Sequence, residues 1–234
     1  MDFFGITITE FPTKPFPPFD QFSPDEFFEY VKNNFATSNF MGDGNDCHSV
    51  VYPEFQNGGE FIPLSSADLF DWTSDSPISS IFTINMFDDG SVITTDFNEG
   101  ENWTFSTLNA PGWLEGDSYD GFHPVSGNRQ FGLTQNSDGS YTFYTSGVDR
   151  LTGWWHVLGP GYAIAFDEAE QLWKCFLDQI KSFVEGLGGS VSDNYNCPNV
   201  RPDLEALQEL LKKGCGGDAE SIEEFPCHQS EECQ

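Results

Sequence analysis

The chain has 234 residues, with 38 acidic side chains against 9 Lys and Arg, a formal charge of −29. A polyanion of this kind repels nucleic-acid phosphates and anionic lipid headgroups, which sets both aside as partners. The 24 Phe, six Trp and seven Tyr supply enough apolar volume for a real core, so wholesale disorder is excluded despite the charge.

The charge is uneven. Between Lys32 and Arg129 there are fifteen acidic residues and no Lys or Arg. That stretch cannot neutralise itself with its own ion pairs. The melting temperature is therefore expected to fall at low ionic strength and to recover with salt or divalent cations, and a value insensitive to both would contradict the reading.

In chain order, residues 1–23 are rich in Pro and Phe and predict an extended arm, because Pro fixes φ and removes a backbone donor. Ser23-Pro24-Asp25-Glu26 is a helix start, with an N-cap, Pro at the first helical position and acids in the first turn. Phe27, Phe28, Val31 and Phe35 then fall on one helical stripe. Residues 41–77 are Gly-, Asp- and Ser-rich, with a short helix over 66–70. Strands are predicted at 78–87, 91–97 and 103–108, the first two joined by Asp88-Asp89-Gly90.

A long Gly- and Pro-containing loop covers 109–127. Segments 128–135 and 140–148 form a hairpin around Asn136-Ser137-Asp138-Gly139. Pairing Gln135 with Ser140 would set Phe131 opposite Tyr144 and Arg129 opposite Ser146; a one-residue slip re-pairs them. The clearest helix is 167–186, with Ala169, Leu172, Trp173, Phe176, Ile180, Phe183, Val184 and Leu187 on one face. Asp167 and Glu168 fit its positive end, and Gly186, Gly188 and Gly189 its stop. A shorter helix follows at 202–213.

Helix, antiparallel strands and long helix in that order give an α+β fold: an antiparallel curved sheet packed on a long C-terminal amphipathic helix, with an N-terminal helix and an acidic, Cys-containing tail. The divisions are an arm at 1–23, a single α+β domain at 24–213 and the tail at 214–234. No stretch approaches the ~20 apolar residues of a membrane span. The start lacks the basic and apolar regions of a Sec signal peptide. Synthesis in the cytoplasm is expected, with any export through a specialised secretion system, or excision from a larger protein.

Cys47 and Cys175 stand isolated, while Cys197, Cys215, Cys227 and Cys233 crowd the last forty residues. Free thiols, a disulfide-tied tail and metal binding all stay open for that group, although it lacks the paired spacing of a zinc ribbon. Asp43-Gly44-Asn45-Asp46 and Asp88-Asp89-Gly90 do not complete a calcium loop and read as turns. No cofactor motif and no metal site is identified. The adjacency of Cys47 and His48 is not the geometry of a catalytic dyad.

Phe105-Ser106-Thr107-Leu108, then His123-Pro124-Val125-Ser126-Gly127-Asn128-Arg129-Gln130-Phe131, then Tyr141-Thr142-Phe143-Tyr144 and the long helix together resemble an uncharacterised bacterial branch of the START-like superfamily, also called helix-grip or SRPBCC. The resemblance covers about 103–187. It departs from that pattern at Phe122, where the family has Gly, and in a longer insert at 109–121. The stretch 123–150 and the opening helix are also similar to C-terminal modules of Rhs-type polymorphic toxin proteins, over about 20–210. A helix-grip fold implies a curved sheet wrapped round a long helix with an apolar cavity between them. Its members often bind lipids, sterols or aromatic molecules, and some are enzymes.

Two sets of residues follow as candidates. For a module that binds an apolar or amphipathic small molecule, the lining would be Phe131, Tyr144, Trp173, Phe176 and Ile180, with Trp154 and Trp155 as a lid, a membrane-touching tip or simply a loop anchor. For a toxin effector enzyme, His123, Arg129 and Asp149 would form the polar centre, Arg holding a carboxylate or phosphate and His moving a proton. The plainer alternative is that Arg129 and Arg150 pair with acids and pin the loop to the sheet. A third class is an acidic interaction protein of the immunity type, whose acidic face masks a basic partner. For the toxin reading the expected protein partner is a cognate immunity or secretion-system protein.

Overall fold

The computed structural model describes residues 2–42, 47, 60–85, 90–108, 123, 125–151 and 161–193. Its elements are β1 (Asp2–Glu10), α1 (Pro24–Asn34), β2 (Glu60–Pro63), α2 (Ser66–Trp72), β3 (Ile81–Asn85), β4 (Gly90–Asn98), β5 (Asn102–Leu108), β6 (Val125–Gln135), β7 (Tyr141–Leu151), α3 (Gly161–Gly186) and β8 (Ser190–Asp193). The expected turn at 88–89, the lid residues Trp154 and Trp155, the helix at 202–213 and the Cys-containing tail lie outside the described residues.

All eight strands join one antiparallel sheet, in the order β2-β3-β4-β5-β6-β7-β1-β8. α3 packs on one face, so the architecture is α+β with a C-terminal helix seated on an antiparallel sheet, consistent with a helix grip. Among the described residues no helix is long and apolar enough to cross a membrane.

The N-terminal segment departs from the expectation of an arm. Asp2–Glu10 is an interior strand, hydrogen-bonded to β7 on one side and β8 on the other. The physical reason is period-2 alternation: Phe4, Ile6 and Ile8 are buried while Phe3 and Thr7 take the other face. Only 11–23 keeps the irregular course that Pro enforces, tied back by a bridge between Thr13 and Gln21 and by Lys14, which pairs with Asp20 at 3.1 Å and Glu26 at 2.7 Å.

α1 starts as its sequence dictates. The Ser23 hydroxyl accepts from the Glu26 amide at 3.3 Å, and the Glu26 carboxylate accepts from the Ser23 amide at 2.9 Å, a reciprocal capping box. α3 ends at Gly186 and is closed off by Gly188, whose φ of +81° suits glycine, with the Gly189 amide donating to the Val184 carbonyl at 2.9 Å. Its start differs from the expectation. The helix begins at Gly161, so Asp167 and Glu168 lie in its second turn and not at its positive end.

The hairpin register is also shifted by one residue. Gln135 pairs with Tyr141, which puts Phe131 opposite Thr145 and Arg129 opposite Gly147. The loop holds five residues, 136–140. Asn136 N–H donates to Ser140 at 2.8 Å, Gly139 (φ +88°) donates to Asn136 at 3.0 Å, and Ser140 turns its hydroxyl to Asp138 at 2.6 Å.

The core lies between the sheet's inner face and the helices, and it is built from rings. Phe35, at the C-terminal cap of α1, meets Phe61, Trp72, Trp103, Phe105, Phe131 and Phe176 at centroid distances of 5.0 to 6.3 Å. Further along α3, Phe183 stacks on Tyr30 at 4.9 Å. Cys47 and Cys175, isolated in sequence, form a disulfide with Cα atoms 5.6 Å apart. The bond fastens the segment after α1 to α3, and the Gln179 side chain lies against the Cys47 sulfur at 3.1 Å.

Candidate functional site

The inner face of the sheet is layered. Trp103, Phe131, Thr145 and Phe4 form one row across β5, β6, β7 and β1. The next row toward the end where β7 leaves for α3 is Phe105, Arg129, Gly147 and Asp2, and beyond it Gly127 faces Asp149. An aromatic layer thus gives way to a polar one beneath the first half of α3.

Arg129 is the hub of that polar layer. Its Nη2 donates to both Asp2 oxygens, at 3.0 and 2.8 Å, and to Asp149 Oδ2 at 3.0 Å. Nη1 reaches the Thr145 hydroxyl at 3.4 Å. The guanidinium carbon lies 4.5 Å from the ring centre of Trp173 on α3, a cation–π contact. Burial pushes the Asp149 carboxyl above its ordinary value; the Arg129 charge and hydrogen bond act against that rise, and the Asp2 carboxylate adds to it.

Space for these groups comes from glycines. A Cβ on Gly147 would sit 2.3 Å from Arg129 Nη2, one on Gly127 would sit 2.2 Å from Asp149 Oδ1, and one on Gly90 would sit 2.6 Å from His123 Cδ2. Glycine inside a strand costs roughly 0.5–1 kcal/mol relative to alanine, so a core that needed only packing would fill these positions. His123 is 4% exposed, and its Nδ1 accepts the Val125 amide proton at 3.1 Å. Burial pulls its pKa down to about 4, so the ring is neutral at physiological pH.

The sequence candidates divide accordingly. Arg129 and Asp149 are brought together, as the ion-pairing alternative holds. His123 is placed against Gly90 of β4, two strands from the strand of Arg129, so the three do not share one centre. Arg150 takes an outward, exposed position opposite Ser126. Phe131 of β6 and Phe176 and Ile180 of α3 are fully buried and Trp173 of α3 nearly so; Phe131 and Phe176 already have Phe35 against their rings. Tyr144 is on the opposite face, stacked on Phe3 at 5.2 Å with its hydroxyl on Gln130 at 2.9 Å. The register shift explains this, since Tyr144 alternates with the inward Phe143 and Thr145.

Sequence reasoning missed Asp2, hidden in the supposed arm, and the three glycines. Gly127 and Gly147 did carry a signal, because a lone Gly within a strand pattern marks close approach of another group.

No family model matches the chain, and no curated protein matches it. Among solved structures it is similar to a protein from Nitrosospira multiformis (9% identity, 79% of this chain and 98% of that one, TM-score 0.41). It is also similar to Ara h 8.0201 (10% identity, 77% and 98%, TM-score 0.37) and to a protein from Deinococcus radiodurans (9% identity, 79% and 97%, TM-score 0.33). The fold assignment rests on this chain's own strand order and on the seat of α3.

Proposed function

We propose that the protein is a small-molecule-binding module that takes an amphipathic ligand at the polar end of the interface between the sheet and α3. The supporting observation is the seating of Arg129 and Asp149 on Gly147 and Gly127 of a largely apolar inner face, with the guanidinium 4.5 Å from the Trp173 ring centre. The hydrocarbon part of the ligand would lie against Trp173, and its head group would bond Asp149 and Thr145. A neutral hydroxyl head suits the site better than an anionic one, because two carboxylates already take the Arg129 Nη2 donors. The toxin and secretion context has its support in the sequence resemblance alone.

Thermal unfolding with 1-decanol and with decanoate tests the reading. Decanol is expected to raise the melting temperature and to change Trp fluorescence, decanoate to do neither, and Thr145→Val to cancel the decanol effect. No shift with decanol, or an equal shift with decanoate, would overturn it.

A further inference from the structure

The outer face of the sheet differs from the rest of the molecule in one respect: it is almost uncharged. In a chain of formal charge −29, the outward positions of β5, β6, β7 and β1 among the described residues hold a single charged side chain, Arg150. The others are Ser, Thr, Asn, Gln, Gly, Tyr, Phe, Leu and Val. Carboxylates flank this region: Asp96 of β4 is exposed and paired with the outward Thr104, and Glu101 lies close enough to Tyr144 to help burial raise the phenol's pKa.

The neutral groups are organised. Thr95 Oγ1 and Ser106 Oγ are 2.8 Å apart, and Ser106 donates to Asn128 Oδ1 at 2.6 Å, a chain of side chains running across β4, β5 and β6. Beside it the Tyr144 hydroxyl donates to Gln130 Oε1 at 2.9 Å. Tyr144 lies against the sheet, where an added Cβ on Gly132 would sit 2.5 Å from its ring, and Phe3 stacks on it with ring centroids 5.2 Å apart. Neutral amides and hydroxyls both donate and accept, whereas a carboxylate only accepts and an ammonium only donates. Asn128 uses its oxygen within the network and keeps two amide N–H donors for a ligand.

We propose that this outer face, centred on Asn128, Gln130 and Tyr144, is a docking surface for a neutral polysaccharide. Sugar hydroxyls match groups that donate and accept at once, and the C–H faces of pyranose rings match aromatic rings. A charged polymer finds no array of counter-charges here. Among the described residues Val148, 59% exposed, is the one large apolar side chain standing well out of this face, too little for the apolar centre of a stable protein–protein interface.

Affinity electrophoresis of the full chain in native gels containing dextran, laminarin, galactomannan or xyloglucan provides the test. The chain migrates strongly toward the anode, and a neutral polymer retards it only by binding. At least one of the four is expected to retard wild type, with the dissociation constant rising about tenfold in Gln130→Ala and in Asn128→Asp, the equivalent of one or two lost hydrogen bonds. Both changes are on the surface and leave the core intact, which circular dichroism and the melting temperature check. Tyr144→Phe separates the hydroxyl from the ring and should weaken binding less than Gln130→Ala. Retardation by none of the four polymers overturns the proposal, as does equal retardation of wild type and variants. A dimer at micromolar concentration that Asn128→Asp dissolves would also overturn it, by assigning the face to a second copy of the chain.

Discussion

Loss of the Cys47–Cys175 disulfide is expected to lower the free energy of unfolding by about 4–5 kcal/mol. The bond joins residues separated by 128 positions, and closing a loop of that length removes a large share of the unfolded chain's entropy. A domain's whole stability is about 5–15 kcal/mol, so the reduced protein should sit near its unfolding limit. Urea unfolding of wild type with and without reductant, beside Cys47→Ala/Cys175→Ala, measures the effect. Reduced wild type and the double variant should coincide, and reductant should barely move the double variant even though four further Cys stand in the last forty residues. A cost below about 1 kcal/mol would mean that the unfolded chain keeps these two segments together without the bond.

Neither cysteine announced the other in the sequence. A disulfide requires Cα atoms about 5.5–6 Å apart, and only the docking of the segment after α1 onto α3 creates that distance. The same limit governs the rest of the fold. What was legible is local: the capping box at Ser23 and Glu26, the apolar stripe of α3 and its glycine stop, and the turn around Asp138 and Gly139. Each depends on contacts within a few residues along the chain. What was not legible depends on partners far away. β1 was obscured because Pro and Phe dominate the composition of residues 11–19, although 2–10 alternate cleanly. β2 and β8 have four residues each, too few to show a period.

The hairpin is an intermediate case. Its existence followed from turn chemistry, but its register did not, because Tyr141-Thr142-Phe143-Tyr144 places aromatic rings at both parities. Thr145, paired with Phe131 and fully buried, decides it. Once the register is fixed, Tyr144 leaves the ligand site and joins the neutral outer face. Arg129 then turns inward over Gly147, where one carboxylate partner, Asp149, comes from the adjoining strand 20 positions on and the other, Asp2, from the start of β1. The residue types of the polar layer were visible in the sequence, but the Asp2 partner, 127 positions away, was not.

Replacing Arg129 by Met is expected to cost about 3 kcal/mol at pH 7.5. Breaking a buried ion pair by removing one partner leaves charge without compensation, typically at 3–5 kcal/mol, and the lower end applies because Asp2 and Asp149 keep 23% and 22% side-chain exposure. The cost should depend on pH with a definite sign. Burial already holds the Asp149 carboxyl above its ordinary value while Arg129 works against that rise, so removing Arg129 raises it further. A carboxyl whose folded-state pKa exceeds its unfolded one favours the folded state when protonated and is lost as a stabilising influence as pH climbs through the folded value. The gap between Arg129→Met and wild type should therefore be widest at neutral pH and narrow as pH falls toward the raised value of Asp149. Arg129→Met/Asp149→Asn, which removes that charge, should recover part of the loss at pH 7.5 and flatten its pH dependence. Urea unfolding of the three proteins at pH 7.5 and pH 5 decides between this account and plain packing. A loss of equal size at both pH values, unrelieved by Asp149→Asn, would mean that Arg129 acts only through its stack on Trp173, and that the carboxylates beside it reach water well enough to need no partner.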